Sequence, residues 1–249
     1  MAGRRRLVGV GVGPGDPELL TVKAVRLLNS ADVILVPATE RSGDGPGRAE
    51  RIVAEVCTDG AARVQRIPFC MSERRGVGPK RTESWRASVQ ASVEAFGAGA
   101  QTVAFATIGD PAVYSTFSYL RAGVTAEVAD VSCELVPGIT AMQALAAESG
   151  WPLAEGKEIL ALVPATVGLE KLADVLDVAD SVTIYKGGRT LPGVLAALRE
   201  RGRDAVIGTD VSLPEQQLAS LDEMEAEQKL PYFSAVLSAP SREEIGGQL

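Results

Sequence analysis

The chain has 249 residues, with 25 Lys and Arg against 32 Asp and Glu, a net charge of −7 and a pI near 4.9. That balance argues against a general nucleic-acid binder, which presents a basic face to phosphates. Histidine is absent, and the three cysteines, Cys57, Cys70 and Cys133, lie far apart. This excludes Ser–His and Cys–His nucleophiles and shows no disulfide framework or paired zinc-binding cysteines.

Three arginines near the start precede a short apolar run that Pro14, Gly15, Asp16 and Pro17 break, too short for a secretory h-region. No run approaches the roughly 20 apolar residues of a membrane span. The expectation is a soluble cytoplasmic protein, without a membrane, nucleic acid or bound metal ion as partner. Aromatics are 4% of the chain against 46% hydrophobic residues, so the core must be aliphatic.

RLVGVGV predicts a buried strand. Leu19, Leu20, Val22, Val25, Leu27 and Leu28 are spaced for one face of a helix, and DVILVPA predicts a second strand. The chain therefore opens as a βαβ unit. A polar, glycine-rich run around 41–49 reads as a loop. AERIVAEVCTDG predicts a helix, ARVQRIPF a strand, SERRGVGPKR a basic connection, TESWRASVQASVEAFGAG a long helix and QTVAFATI a strand. Near residue 120 the pattern resets. VSCELV, EILALVPA, SVTIYKGG, AVIGTDVS and YFSAVLSA predict strands, and AMQALAAESG and TLPGVLAALRERG predict helices. Two α/β domains follow, 1–120 and 121–249.

Three glycine turns stand at the ends of predicted strands. The first, GVGVGPGDPELLT, fails the dinucleotide fingerprint G-x-G-x-x-G: counting from Gly9 the last place is Pro14, and from Gly11 it is Asp16. Asp16 followed by Pro17 reads as an N-cap and first helical residue. That would put a carboxylate where a pyrophosphate would meet the helix dipole. The second turn, at Gly109, Asp110 and Pro111, repeats the pattern of strand, Gly-Asp-Pro and helix. The third is VPGITA at 136–141. Each reads either as a well-capped βα turn or as a lining for a ligand that approaches backbone groups at the carboxyl ends of strands.

Taken in order, VGVGPGDPELLTVKA, GDPAVYSTF, VPGITA and YKGG resemble the signature segments of the tetrapyrrole (corrin/porphyrin) methyltransferase family over nearly the whole chain. The resemblance implies two α/β domains with an active-site trough between them, S-adenosyl-L-methionine as methyl donor, a tetrapyrrole substrate and a homodimer. FCMSER, GDPAVYSTFSYL, GWPLAEGKE and LPYFS further resemble the subgroup that methylates precorrin-2 or its cobalt complex at carbon 20 in cobalamin biosynthesis. Ile108 stands where uroporphyrinogen methylases carry glycine. The alternatives are another methylase of this fold, such as one acting on uroporphyrinogen III or in diphthine synthesis, or a non-catalytic tetrapyrrole-binding regulator. RSGDGPGRAE, YKGGR and GTDVSLPEQQ depart from the family pattern.

Carried over residue by residue, the resemblance implies that Pro14 borders the cofactor. It implies that Ile108, Gly109 and Asp110 meet the methionine part, and that Thr140 and Ala141 line the adenosyl region. Lys186 and Val211 are to present backbone to the adenine. Arg74, Arg75, Lys80 and Arg81 could pair with the substrate's carboxylates, for which the guanidinium fork is suited, or could belong to a solvated loop. Tyr114, expected one helical turn past the second Gly-Asp-Pro, could donate to substrate or be an ordinary half-buried tyrosine. A sulfonium donor needs no activation, so no side chain is expected to act as obligatory general base.

Overall fold

Five short runs, the inner three rich in Val, Leu, Ile and Ala, become the strands of one parallel sheet: β1 (Arg6–Gly11), β2 (Val33–Thr39), β3 (Val64–Phe69), β4 (Thr102–Thr107) and β5 (Ser132–Val136). The computed structural model describes residues 4–39, 45–57, 63–70, 76–225, 227–231 and 233–241. Strand order is β3-β2-β4-β1-β5, every neighbour parallel. The inner strands β2, β4 and β1 are covered on both faces, which is why they are apolar almost throughout rather than alternating, whereas the edge strands β3 (VQRIPF) and β5 (SCELV) carry polar residues and are only partly buried. On one face α1 (Val22–Ser30) and α2 (Arg48–Val56) bury Leu28, Ile52 and Val53 against Val8, Val10 and Ile34. On the other, α3 (Pro79–Gly97) and α4 (Phe117–Glu127) bury Phe96, Phe117 and Leu120 against Leu7, Leu35 and Phe105.

Two compact units result, Met1–Thr140 and Ala141–Leu249. The division falls past the boundary expected at residue 120. The reason is strand pairing: β5 runs in register with β1 from Arg6↔Ser132 to Val10↔Val136, and α4, which leads into β5, packs under the same sheet. The Arg6 guanidinium grips Glu134 through two bonds of 2.9 and 3.0 Å, fastening β5 to β1 and holding the Glu134 carboxyl below its ordinary pKa.

The start of α1 also differs from expectation. Asp16 Oδ1 does accept a backbone N–H, from Glu18 at 2.8 Å, but the element it caps is a three-residue 3-10 turn, Pro17–Leu19. Leu20 is extended, and the α-helix begins at Val22 with Thr21 as its cap, its hydroxyl accepting from Ala24 N at 3.1 Å.

The second unit contains α5 (Ala141–Ser149), β6 (Leu160–Pro164), α6 (Leu169–Val178), β7 (Ser181–Tyr185), α7 (Leu191–Glu200), β8 (Val206–Thr209), β9 (Gln217–Ser220) and β10 (Ser234–Ser238). The sheet order is β6-β7-β10-β8-β9, and only β6 and β7 run parallel. Leu172, Leu176, Leu195 and Leu198 of α6 and α7 cover one face, with Val182 and Ile184 of β7 beneath them. Ala144 and Leu145 of α5 pack on the other, against Ala235 and Leu237 of β10. Two of these elements, α6 and β9, have no counterpart among the predicted ones. In α6 the buried leucines are outnumbered by polar residues, and β9 is an edge strand with little burial.

Candidate active site

The carboxyl ends of β4, β1 and β5 stand side by side. After β1 the chain leaves for the face covered by α1; after β4 it leaves for the opposite face, covered by α4. A sheet of this kind offers its crevice where successive connections part in this way. All three glycine turns lie there.

They are fused backbone to backbone. Gly109 N donates to Gly13 O at 2.8 Å, closing an antiparallel bridge between the first and second turns. A Cβ on Gly138 would stand 2.2 Å from Gly109 O and 2.8 Å from Gly11 Cα, closer than real Cβ atoms come. The first, second and third turns therefore share one spot that admits no side chain. Asp110 adds a polar tie: Oδ1 accepts from Ala112 N at 2.7 Å and Oδ2 from Gly138 N at 2.9 Å. Pro14 and Gly109 are buried here, Ile108 packs into the core beside α1, and Thr140 Cα lies 3.9 Å from the place a Gly109 Cβ would occupy. Pro14, Ile108, Gly109, Asp110 and Thr140 are thus brought to one place.

Asp110 does not cap a following helix. Residues 111–116 form turns, and α4 starts only at Phe117, whose N–H is taken by Ser115 Oγ at 3.2 Å. The carboxylate is occupied inside the turn and by Gly138, so it holds two turns together instead. Tyr114 accordingly lies in a turn, not one helical turn along. Its backbone is left-handed at φ 50°, it is 45% exposed, and partial desolvation pushes its phenol above the ordinary tyrosine pKa. A bulky residue held left-handed is strained, and such strain concentrates at functional sites.

In the second unit, Ala141 opens α5, Lys186 follows β7 and Val211 follows β8. Lys186 has φ 60°, and buried Val211 is flanked by Asp210 at 49° and Ser212 at 69°. A Cβ on Gly208 would meet Val211 Cγ2 at 2.5 Å and Leu145 Cδ1 at 2.6 Å, so the Val211 side chain packs beside α5. Tyr185 Oη accepts from Met142 N at 2.6 Å, tying the end of β7 to the first turn of α5. Ala141, Lys186 and Val211 therefore gather around one helix.

The basic connection is only partly described. Arg74 and Arg75 lie outside the described residues. Lys80 and Arg81 occupy the first turn of α3, Lys80 exposed; Arg81 donates to Gly76 O at 2.5 Å, so part of its guanidinium closes its own loop. Beside them Trp85 of α3 stacks on Tyr119 of α4, ring centroids 4.3 Å apart. Sequence reading missed three residues that build these sites, Gly13, Gly138 and Tyr185. All lie inside the quoted signature segments, where the role of each depends on contacts across the fold. Among the described residues no three His, Cys, Asp or Glu side chains converge as metal ligands, and no helix is long and apolar enough to cross a membrane.

The family model of the tetrapyrrole (corrin/porphyrin) methylases matches residues 6–225. The chain belongs to this family. The likeness carried by the four signature segments is borne out. This methylase is 34% identical over 235 residues to the precorrin-2 C(20)-methyltransferase of Sinorhizobium sp, covering 93% of this chain and 94% of that one. It is 29% identical over 239 residues to the cobalt-precorrin-2 C(20)-methyltransferase of Salmonella typhimurium, covering 93% and 95%. The fold matches that of uroporphyrin-III C-methyl transferase from Thermus thermophilus complexed with S-adenyl homocysteine, with a TM-score of 0.65, 24% identity, and 94% and 97% of the two chains covered.

Proposed function

We propose that the chain is an S-adenosyl-L-methionine-dependent methyltransferase that methylates precorrin-2, or its cobalt complex, at carbon 20 to give precorrin-3A in cobalamin biosynthesis. The observation that carries this reading is the 34% identity along 93% of the chain to a protein of that name. The fused glycine turns support it. They leave backbone groups, not phosphate-cradling amides of a dinucleotide fingerprint, at the carboxyl ends of the central strands.

The chemistry asks little of the side chains. The substrate carbon forms a bond to the donor methyl as the carbon–sulfur bond breaks, and its electron pair stays on sulfur, giving S-adenosylhomocysteine. The substrate carbon then loses its proton to solvent or keeps it as a tautomer. Holding the reactants in line supplies at best about 7–11 kcal/mol of the barrier. Pro14, Ile108, Gly109, Asp110, Thr140, Ala141, Lys186 and Val211 are assigned to the cofactor. Lys80 and Arg81, with Arg74 and Arg75, are assigned to the carboxylates, and Tyr114 to substrate positioning. A cytoplasmic homodimer completes the reading.

The test is mass spectrometry of precorrin-2 and its cobalt complex incubated with the purified chain and S-adenosylmethionine, followed by carbon-13 NMR of the product. The expected product is one methylene heavier, with the new methyl on carbon 20. Methylation of uroporphyrinogen III instead would reassign the substrate. Donor binding without turnover of any of these tetrapyrroles would leave the regulator reading.

A further inference from the structure

Strand β7 alternates sides. Val182 and Ile184 enter the core beneath α6 and α7, so Thr183 and Tyr185 face the other way, toward α5. The Tyr185 ring packs with Ala146, Trp151 and Leu153 against the cluster built on Ala144, Leu145 and Leu237. Its hydroxyl oxygen accepts the N–H of Met142 at 2.6 Å, across 43 residues of chain.

Met142 is the second residue of α5, and its amide is one of the helix's first-turn donors that have no partner within the helix. Such donors are commonly satisfied by a Ser, Thr, Asp or Asn immediately before the helix, which secures the helix but says nothing about its place on a sheet. Here the acceptor comes from the end of a strand. The bond therefore sets where α5 begins relative to β7. The residues adjoining its two ends are Ala141 and Lys186, the latter held left-handed at φ 60°. Both belong to the proposed cofactor contacts.

We infer that Tyr185 is a positioning residue for the methyl donor, its hydroxyl holding the Ala141 and Lys186 backbone in the arrangement that the S-adenosyl group requires. This rests on the function proposed above. The residue does not enter the chemistry; it acts through the helix start it anchors.

Tyr185→Phe keeps the ring and its packing and removes one oxygen. Calorimetric titration with S-adenosylhomocysteine should show a Kd about tenfold higher, the size expected for one lost hydrogen bond. The KM for S-adenosylmethionine should rise by a similar factor while kcat at saturation stays within about twofold, since the transferred methyl is still aligned once the donor is seated. An unchanged Kd and KM with a lowered Tm would confine the hydroxyl to folding and overturn the inference. A fall in kcat at unchanged KM would overturn it as well. A second measurement uses the unaltered protein: S-adenosylhomocysteine should slow hydrogen exchange of the first-turn amides of α5, and bound ligand without that protection would also refute the inference. Failure of the unaltered protein to bind S-adenosylhomocysteine at all would remove the methyl-donor reading itself, and this inference with it.

Discussion

In the parallel sheet the candidate site segments are held by absent side chains. Gly11, Gly109 and Gly138 press main chain on main chain, and Asp110 bridges two of the turns. In the mixed sheet the corresponding segments carry full side chains. Lys186, Asp210 and Ser212 take left-handed backbone without being glycine, and the tie between segments is a tyrosine hydroxyl. At Gly11 and Gly138 the first arrangement tolerates no added atom, because a backbone neighbour cannot move without displacing a strand. The second stores local strain that its surroundings offset, and at Gly188 it leaves open space. The meeting point of Gly11 and Gly138 is thus constrained by space, and the segments at Lys186 and Asp210–Ser212 by conformation, as is Tyr114 in the first unit.

That contrast can be broken by experiment. The largest effect should come from Gly138→Ala, whose Cβ would fall 2.2 Å from Gly109 O. Overpacking against backbone that cannot rotate away should cost about 3 kcal/mol or more in urea unfolding. A loss under about 1 kcal/mol would mean that the turns separate easily and that close approach is not what holds them. Gly109→Ala should be milder. The added Cβ meets nothing nearer than Thr140 Cα at 3.9 Å, leaving only the φ of 71° to oppose it. The expected loss is about 1 kcal/mol, the cost of a left-handed L-residue; a loss as large as that of Gly138→Ala would put space, not conformation, in control of this turn as well. Smallest of all should be Lys186→Gly. Relief of the left-handed backbone and the greater freedom of glycine in the unfolded chain oppose each other, so the midpoint of unfolding should move by less than about 1 kcal/mol in either direction. A large destabilisation there would show that the Lys186 side chain carries packing, and the two halves would then differ less than their backbones suggest.

Asp110 shows how far local reading reaches. An aspartate before a proline after a strand reads as a helix cap, and it does accept from Ala112 N two residues on. Its second acceptor, Gly138 N, lies 28 residues away and could not be inferred from neighbours in the chain. The same limit moved the division between units. The hydrophobic pattern does reset near residue 120, but β5 belongs to the first sheet because it pairs with β1, and pairing is a long-range fact.

By itself the sequence determined the α/β class, the apolar runs that become the inner strands of the parallel sheet, the failure of the dinucleotide fingerprint and the four glycine-marked segments that place the chain among the tetrapyrrole methylases. These are properties of residue type and short spacing, so periodicity and turn chemistry expose them. Only the tertiary structure decided that three of the segments meet at one spot, that Tyr114 lies in a strained turn, that Asp110 and Tyr185 act as ties, and where the first unit ends. Each depends on which strands lie side by side, and that is settled by the burial of whole sheet faces rather than by any local run of residues.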